Sequence, residues 1–137
     1  MLNATHNGHW VVRLVDGEDL AASLAALPIE AAILVAGVGM LRDVRLAYWN
    51  GEEYETFGVD GAVELVSAQG NIARAEDRRV AHCHLCVARR GGTTAGGHLV
   101  DATAHNTVEL YLRETEGISL RRAPEPSGLL GLTPSTE

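Results

Sequence analysis

HCHLCVARRGGTTAGGHLVD, residues 82–101, carries two segments rich in β-branched and other apolar residues on either side of a glycine pair, a pattern typical of a β-hairpin. The predicted strands are Val80–Ala88 and Thr93–Asp101, joined by the turn Arg89–Gly92. Simple pairing about this turn places position 98 or 99 opposite position 84 or 85. Strands joined by so short a turn run antiparallel, so the segment predicts antiparallel sheet.

One segment of the chain has helical rather than strand periodicity. From Glu18 to Leu27, leucines recur at helical spacing with alanines between them, and Pro28 ends the pattern. Glycine-rich breaks between strands are expected at Gly37–Gly39 and Gly70–Asn71. The sequence therefore predicts an α+β fold, a mainly antiparallel β-sheet with one principal helix packed on it. The other predicted strands are His9–Val15, Ala31–Ala36, Val44–Trp49, Glu53–Phe57, Val63–Gln69 and Thr107–Arg113.

Length and composition fit one globular domain. The chain has 137 residues, 46% of them hydrophobic and 21% charged, which excludes a disordered tail. We predict a single domain over residues 1–137, with a core from about 9 to 114 and a C-terminal segment, 117–137, extended along the surface. The most apolar run, Ala31–Val38, is far shorter than the roughly 20 residues that a membrane-spanning helix needs, so no membrane partner is expected.

The N-terminal residues and the cysteine count indicate a location. Met1–His6 lacks the basic start and the apolar stretch of a signal peptide. Two cysteines cannot build a disulfide framework, which favours a reducing compartment. We therefore expect a cytoplasmic protein.

The charged residues disfavour two classes of function. All 11 basic residues are arginine and 18 residues are acidic, which gives a net charge of −7. Phosphate contacts need a basic surface, so direct binding of nucleic acid is disfavoured. The absence of lysine excludes Schiff-base chemistry on this chain. A metal ion is therefore the main candidate for any catalysis.

Three histidines form the strongest candidate site in the sequence. His82 and His84 are two residues apart in a predicted strand, so their side chains leave the same face. His98 follows Gly96–Gly97 on the return strand, where a bulge is expected to turn its side chain onto that face. Three imidazoles with a fourth position left to water are a recurring ligand set for catalytic zinc. The alternative is a polar hairpin face whose histidines contact solvent.

The two cysteines form a C-x-x-C motif whose spacing in a strand argues against a joint site. Positions three apart point to opposite faces, so Cys83 and Cys86 cannot readily form a disulfide or bind one metal. Cys83 is predicted in the core. Cys86 shares the face of His82 and His84 and remains a candidate soft ligand.

Several charged residues near the predicted hairpin are candidates for supporting roles. Asp101, Glu109 and His105 are candidates for hydrogen bonds to the metal-binding histidines or for acid–base catalysis, and an exposed position is the alternative for each. The arginine pairs are expected in solvated turns or near the chain end, with anion binding as the alternative. They are Arg78–Arg79, Arg89–Arg90 and Arg121–Arg122.

The order of the motifs resembles the plant and prokaryote conserved (PPC) domain family. The resemblance covers about Val11 to Leu132, and its most specific elements are a Gly-x-Gly turn, a Gly-Asn-Ile triplet, a His-x-His strand and a Gly-Gly-His strand. The matching segments are GVGMLRDVRLAYW (37–49), VELVSAQGNIA (63–73), HCHLCVA (82–88), GGHLVDATA (96–104) and TVELYL (107–112).

This resemblance implies a homotrimer with the α+β fold, similar to the fold of acetolactate decarboxylase. It also implies a metal, zinc, on His82, His84 and His98 of this chain. Plant members carry an AT-hook, and prokaryotic relatives are described as DNA-binding through that kinship. Arg121–Pro124 is not an AT-hook.

Two functions follow as expectations from the residues and the resemblance together. The first is a stand-alone binding or regulatory module with a three-histidine zinc site. Such a module is compatible with a small-molecule ligand as its partner. The alternative is a zinc-dependent lyase or hydrolase acting on a small keto or hydroxy acid. In that enzyme Glu109 or Asp101 would be the acid–base group, and an arginine would hold the substrate carboxylate.

Overall fold

The fold is described from a computed structural model, and the description covers residues 1–136. Over these residues the chain forms nine β-strands of one sheet and a single short helix. The strands are β1 (Leu2–His6), β2 (His9–Val15), β3 (Ala32–Trp49), β4 (Tyr54–Val59), β5 (Val63–Ala75), β6 (Arg78–Ala88), β7 (Thr94–Glu114), β8 (Ile118–Pro124) and β9 (Leu130–Thr136), and the helix is α1 (Leu20–Ala26).

The sheet is antiparallel at every pairing except one. Its strand order is β1-β2-β7-β3-β5-β8-β9, with β4 paired to β3 and β6 paired to both β5 and β7. The exception is a parallel bridge between β5 and β8 at Arg74 and Arg121. The predicted α+β class with a mainly antiparallel sheet is therefore confirmed.

The helix forms where the sequence predicts it and is shorter at both ends, running from Leu20 to Ala26 instead of from Glu18 to Leu27. The carboxylate of Asp19 caps it by accepting a hydrogen bond from the backbone N–H of Ala22 at 2.7 Å. Leu20 and Leu24 bury their side chains against β6 and β7. The helix ends at Ala26, and the extended residue Leu27 caps it directly before Pro28, which cannot continue a helix.

The predicted break at Gly37–Gly39 is wrong, because the single long strand β3 passes through these residues. The glycines change the register of β3 against β7 between Gly39 and Leu41, and the strand continues through them. A Cβ at Gly39, where φ is 141°, would overlap the backbone at Thr107 and Val108. A bulge alters pairing without ending a strand, which is why one strand spans what the pattern divides in two.

Two other strands are likewise longer than predicted. β5 passes through Gly70–Asn71 and reaches Ala75, and β7 joins the predicted strands Thr93–Asp101 and Thr107–Arg113 into one. Gly70 lies so close to β6 that a Cβ would overlap the carbonyl oxygen of His82. The lack of a side chain at Gly70 therefore permits close packing of β5 against β6, and Gly70 does not mark a turn.

The C-terminal segment forms a hairpin that the sequence pattern does not reveal. β8 and β9 pair over their whole length, from Ile118 with Thr136 to Pro124 with Leu130. The predicted extended surface segment is thus strand, and it brings Leu120 into a buried position. Its arginine Arg122 reaches the histidine cluster described below.

The core lies between α1 and one face of the sheet. Along β2, Trp10, Val12 and Leu14 are buried, and the residues between them are exposed. The same alternation in β7 buries Val108 and Leu110. Among the residues described, no helix is both long enough and apolar enough to cross a membrane.

Candidate metal centre

Strands β6 and β7 bring the three predicted histidines together. His84 and His98 are directly paired across the two strands, as the hairpin predicts, and His82 is two residues along β6 on the same face. One ring nitrogen from each histidine lies within 4.8 Å of those of the other two. The ring centroids are 5.0 Å apart for His82–His84, 5.0 Å for His82–His98 and 5.5 Å for His84–His98.

Regular pairing, and not a bulge, orients His98. The register between β6 and β7 runs without a shift in the described pairs from His84–His98 to Ala88–Thr94. The predicted bulge at Gly96–Gly97 is therefore wrong, and direct pairing already places His98 on the face of His84. The glycine Gly97 serves close packing, since a Cβ there would lie 3.0 Å from the carbonyl oxygen of Ala47 on β3.

Burial keeps two of the three rings neutral at pH 7. The pKa of His82 is lowered to about 4, first by burial and then by the positive charge of Arg122 and the neighbouring histidines. Burial also lowers the pKa of His98, with His84 and Arg122 adding to the shift. A neutral imidazole has a free lone pair on one nitrogen, which is the form that binds a metal ion.

Arg122 of β8, one of the arginines in the pair at positions 121 and 122, is a neighbour of the histidine cluster, a position that the sequence did not predict. Its Nη2 donates hydrogen bonds to Asn71 Oδ1 at 2.9 Å and to His82 Nδ1 at 3.1 Å, and its Nη1 donates to the carbonyl oxygen of Leu130 at 2.7 Å. Its Nε is buried without a partner among residues 1–136. No local pattern marks Arg122, because only the β8–β9 pairing carries it to β6.

His82 and His98 lie at one wall of a cavity of about 620 Å³ between β6 and the β8–β9 hairpin, and His84 is not part of its lining. The ring of Tyr54 stands 4.9 Å from that of His98. Most of the wall opposite is contributed by apolar residues and glycines of the hairpin. The cavity is lined by Tyr54, Asn71, Val80, Ala81, His82, His98, Arg122, Glu125, Gly128, Leu129, Leu130, Gly131 and Leu132.

The three histidines fit a divalent transition metal. Three nitrogens on one tetrahedral zinc lie about 3.4 Å apart, given Zn–N distances near 2.0–2.1 Å. The three ligand nitrogens lie within 4.8 Å of one another, so a bound ion would draw the three rings closer together. His98 Nδ1 is buried without a hydrogen-bond partner in the described chain, which leaves a polar atom that a cation or a further partner would satisfy.

The predicted acidic candidates lie away from this cavity. Asp101 accepts hydrogen bonds from Nε of Arg45 at 3.0 and 3.1 Å, which hold the pKa of its carboxyl below the usual range, and it lines a different depression. Glu109 is exposed on β7, opposite Arg13. His105 lies 3.8 Å from Asp16. The structure thus gathers the three histidines and leaves the acidic candidates elsewhere.

The cysteines separate as the strand spacing predicts. Cys83 is buried in the core, and its burial raises the pKa of the thiol to about 12. Cys86 is half-buried opposite Gly96 and is outside the group of three histidines. Both are free thiols.

The three arginine pairs have different surroundings. Arg89 and Arg90 lie in the tight turn between β6 and β7, as predicted. Arg79 forms a long ion pair of 4.0 Å with Glu30, and Glu30 forms a shorter ion pair of 2.6 Å with Arg74. Arg121 is exposed, whereas its neighbour Arg122 is half-buried at the cavity.

Comparison with known families identifies the domain. The sequence profile of the Plants and Prokaryotes Conserved (PCC) domain matches residues 1–116. The chain belongs to this family. The match confirms the resemblance drawn from the Gly-x-Gly, His-x-His and Gly-Gly-His motifs. It ends before β8, so the hairpin that carries Arg122 lies outside the matched region.

Two solved structures, one of them a PPC protein, share the fold. The plant- and prokaryote-conserved protein of Pyrococcus horikoshii is 27% identical, with a TM-score of 0.85 over 94% of this chain and 92% of that one. A protein of Ralstonia eutropha, described as a candidate DNA-binding protein, has a TM-score of 0.87 at 20% identity, over 96% of this chain and 94% of that one. The second likeness shows the fold alone.

Curated relatives are much longer proteins. The chain is 26% identical over 123 residues to a bifunctional protein GlmU of Synechococcus, which covers 86% of this chain. It spans 19% of the length of that relative. The match concerns one segment of the longer protein.

Proposed function

We propose that this PCC-domain protein is a binding or regulatory module that holds a divalent transition metal, zinc by preference, on His82, His84 and His98. The observation that carries the proposal is the convergence of one ring nitrogen from each histidine within 4.8 Å. Neutral imidazoles suit zinc, nickel or copper, whereas magnesium and calcium prefer oxygen ligands. The lowered pKa values of His82 and His98 keep their lone pairs available at neutral pH.

Metal analysis of the purified protein tests this proposal. Protein prepared without added zinc is expected to contain about one metal ion per chain, and His84→Ala is expected to abolish it. His6→Ala is the matched control, since His6 is exposed on the edge strand β1 and outside the group of three. Stoichiometric metal that survives His84→Ala would contradict the proposal.

A zinc-dependent enzyme is the second candidate, and the adjoining cavity favours it. Three protein ligands leave a fourth coordination position, and the cavity of about 620 Å³ offers room for a small keto or hydroxy acid beside it. Asp101 and Glu109 do not line this cavity, so an acid–base group would come from Tyr54 or Glu125. Turnover of small 2-keto acids that is lost in His84→Ala would favour the enzyme over the module.

We also propose that the chain assembles as a homotrimer through the sheet face that α1 leaves uncovered. Val11 on β2 and Ile33 and Val38 on β3 are 60%, 40% and 51% exposed, on strands that flank β7. The accessible surface is 7638 Å², against about 6,900 Å² expected for a folded monomer of 14.6 kDa. An apolar face on a sheet is an expected contact between copies.

A further inference from the structure

We propose that Arg122 is a receptor for the carboxylate of a small organic acid bound beside the metal ion. The inference rests on the proposed metal site and adds the class of ligand that it takes. Arg122 is the cationic side chain on the wall of the cavity next to the histidines. It lies on β8, beyond the region matched by the family profile.

The first step concerns the lone pair of His82 Nδ1. A guanidinium only donates hydrogen bonds, so the 3.1 Å contact from Arg122 Nη2 requires an unprotonated Nδ1. If a metal ion binds Nδ1, it takes that lone pair. If the ion binds Nε2 of the neutral ring, Nδ1 carries the proton and faces the guanidinium with a donor. Coordination through either nitrogen therefore breaks the Arg122–His82 hydrogen bond.

The second step concerns the donors that this change leaves free. Arg122 Nε is already buried without a partner in the described chain, and Nη2 loses its bond to His82. An unpaired guanidinium N–H inside a protein is unfavourable, and a carboxylate is the acceptor that satisfies two of them together. Arg45 shows this arrangement in the same molecule, where Nε and Nη2 both hold the carboxylate of Asp101.

No carboxylate of the protein already occupies this position. In residues 1–136, Arg122 takes part in none of the ion pairs, although Glu125 lines the same cavity. Asn71 and the carbonyl oxygen of Leu130 hold the guanidinium in place without neutralising its charge. A divalent metal ion next to this guanidinium would repel it, because both are positively charged. An anion between them would be attracted to both.

The apolar wall selects an organic acid over an inorganic anion. Leu129, Leu130 and Leu132 of the hairpin face the cavity together with Val80 and Ala81 of β6. An alkyl chain on the ligand would bury apolar surface there, whereas sulfate or phosphate would gain nothing from it. The chemistry of the cavity therefore fits a short-chain monocarboxylate.

Metal and carboxylate binding are expected to reinforce each other. The metal ion frees the donors of Arg122, and the carboxylate shields the guanidinium charge from the metal ion. Coupling between two ligands is reciprocal, so each should raise the affinity for the other by the same factor.

The experiment measures each binding step separately with cobalt as the metal probe. Chelator-treated protein is titrated with Co²⁺ and followed by visible absorption, and the Co²⁺-loaded protein is then titrated calorimetrically with acetate, butanoate and sulfate. Affinity is expected to rise about fourfold for each added methylene group. Arg122→Gln should weaken butanoate binding about tenfold to a hundredfold, the loss typical of charge-assisted hydrogen bonds, and should leave Co²⁺ affinity without butanoate equal or tighter.

Three further variants or titrations complete the test. Arg121→Gln is the matched control on the same strand and should bind butanoate as the wild type does, because Arg121 is exposed. Arg122→Lys keeps the charge and should restore part of the affinity. The wild type should bind Co²⁺ more tightly with saturating butanoate than without it.

Several outcomes would overturn the inference, and they separate it from the metal proposal. Normal Co²⁺ binding with butanoate affinity equal in Arg122→Gln and the wild type overturns the role of Arg122 alone. Tighter binding of sulfate than of butanoate overturns the assignment to an organic acid. Failure of the folded wild type to bind Co²⁺ overturns both proposals, with circular dichroism confirming that the protein is folded.

Discussion

His84 and His98 face each other as a directly paired couple on β6 and β7, with ring centroids 5.5 Å apart. Their separation is set by the backbone hydrogen bonds of two neighbouring strands, and not by a mobile loop. A site built on rigid strands holds its ligands close to the binding geometry before the metal arrives. The pair is therefore the fixed part of the proposed metal centre.

The first prediction is that the two histidines act as one unit in metal binding. His84→Ala and His98→Ala should each lower Co²⁺ affinity by about a hundredfold or more, given that complete structural zinc sites store roughly 10–16 kcal/mol. The double variant should lose little beyond the worse single one, because removing one ligand already destroys the site. Visible absorption titrations check this, and additive losses would contradict a shared ion.

The second prediction concerns the glycine that lets β5 approach the histidine strand. Gly70→Ala should reduce the free energy of unfolding by about 1–3 kcal/mol, because the added Cβ overlaps the backbone at His82 and lies 2.8 Å from the Cα of Cys83. Moving β6 to relieve the overlap also moves His82, so metal affinity should fall with stability. Urea denaturation and Co²⁺ titration measure the two effects.

Gly58→Ala provides the control for this substitution. Its Cβ would meet nothing closer than the carbonyl oxygen of Val44 at 3.9 Å. Stability and metal affinity should therefore stay close to those of the wild type. Equal losses in the two variants would show that glycine flexibility, and not the close approach at Gly70, matters.

Local pattern was sufficient to predict the hairpin that carries the site. Alternation on both sides of the turn Arg89–Gly92 fixes an antiparallel pair, and the pairing of His84 with His98 follows from counting residues about it. The helix is equally local, with an aspartate cap at its start and a proline after its end. Such features depend on a few neighbouring residues. They can therefore be predicted without knowing the tertiary contacts of the remaining chain.

The remaining features depend on contacts that sequence spacing does not record. Gly39 and Gly70 look like turn residues, but each permits close approach to a distant backbone segment. Arg122 is separated by 40 positions from His82, and only the pairing of β8 with β9 and β5 joins them. A lone arginine doublet has no periodicity from which such a contact could be predicted.

The third prediction is a loss of stability in mild acid that depends on His82. A histidine in the unfolded chain titrates near 6.5, whereas burial lowers the pKa of His82 in the folded chain to about 4. Between these values the unfolded chain takes up a proton that the folded chain refuses. The contribution of His82 to stability is thus present above about pH 6.5 and is lost as the pH falls toward 4.

Urea denaturation of the chelator-treated protein at pH 7, 6 and 5 checks this dependence. The free energy of unfolding should fall over this range in the wild type and fall less steeply in His82→Asn. The chelator removes the competing effect of proton release on metal binding. Identical pH slopes in the two proteins would show that His82 is protonated alike in the folded and unfolded chains.

The fourth prediction tests the assembly through the uncovered sheet face. Val11→Glu should dissociate the proposed trimer, because it places a charge among exposed apolar residues on the face opposite the core. Val11→Thr keeps the β-branched shape without a charge and should remain assembled. Sedimentation velocity at micromolar concentration measures the mass, and a monomeric wild type would contradict the proposed trimer.

The fifth prediction concerns duplex DNA, for which the charge of the chain disfavours binding. The net charge of −7 opposes the phosphate backbone, and assembly into a trimer would multiply that charge. Non-specific DNA-binding proteins reach dissociation constants of about 10⁻⁴–10⁻⁶ M at physiological salt, and counterion release makes their binding strongest at low salt. Fluorescence anisotropy with random and AT-rich duplexes at 50 mM salt should therefore show no binding at 10 µM protein. Saturable binding that weakens as salt is raised would instead mean that the exposed arginines concentrate enough positive potential to overcome the net charge.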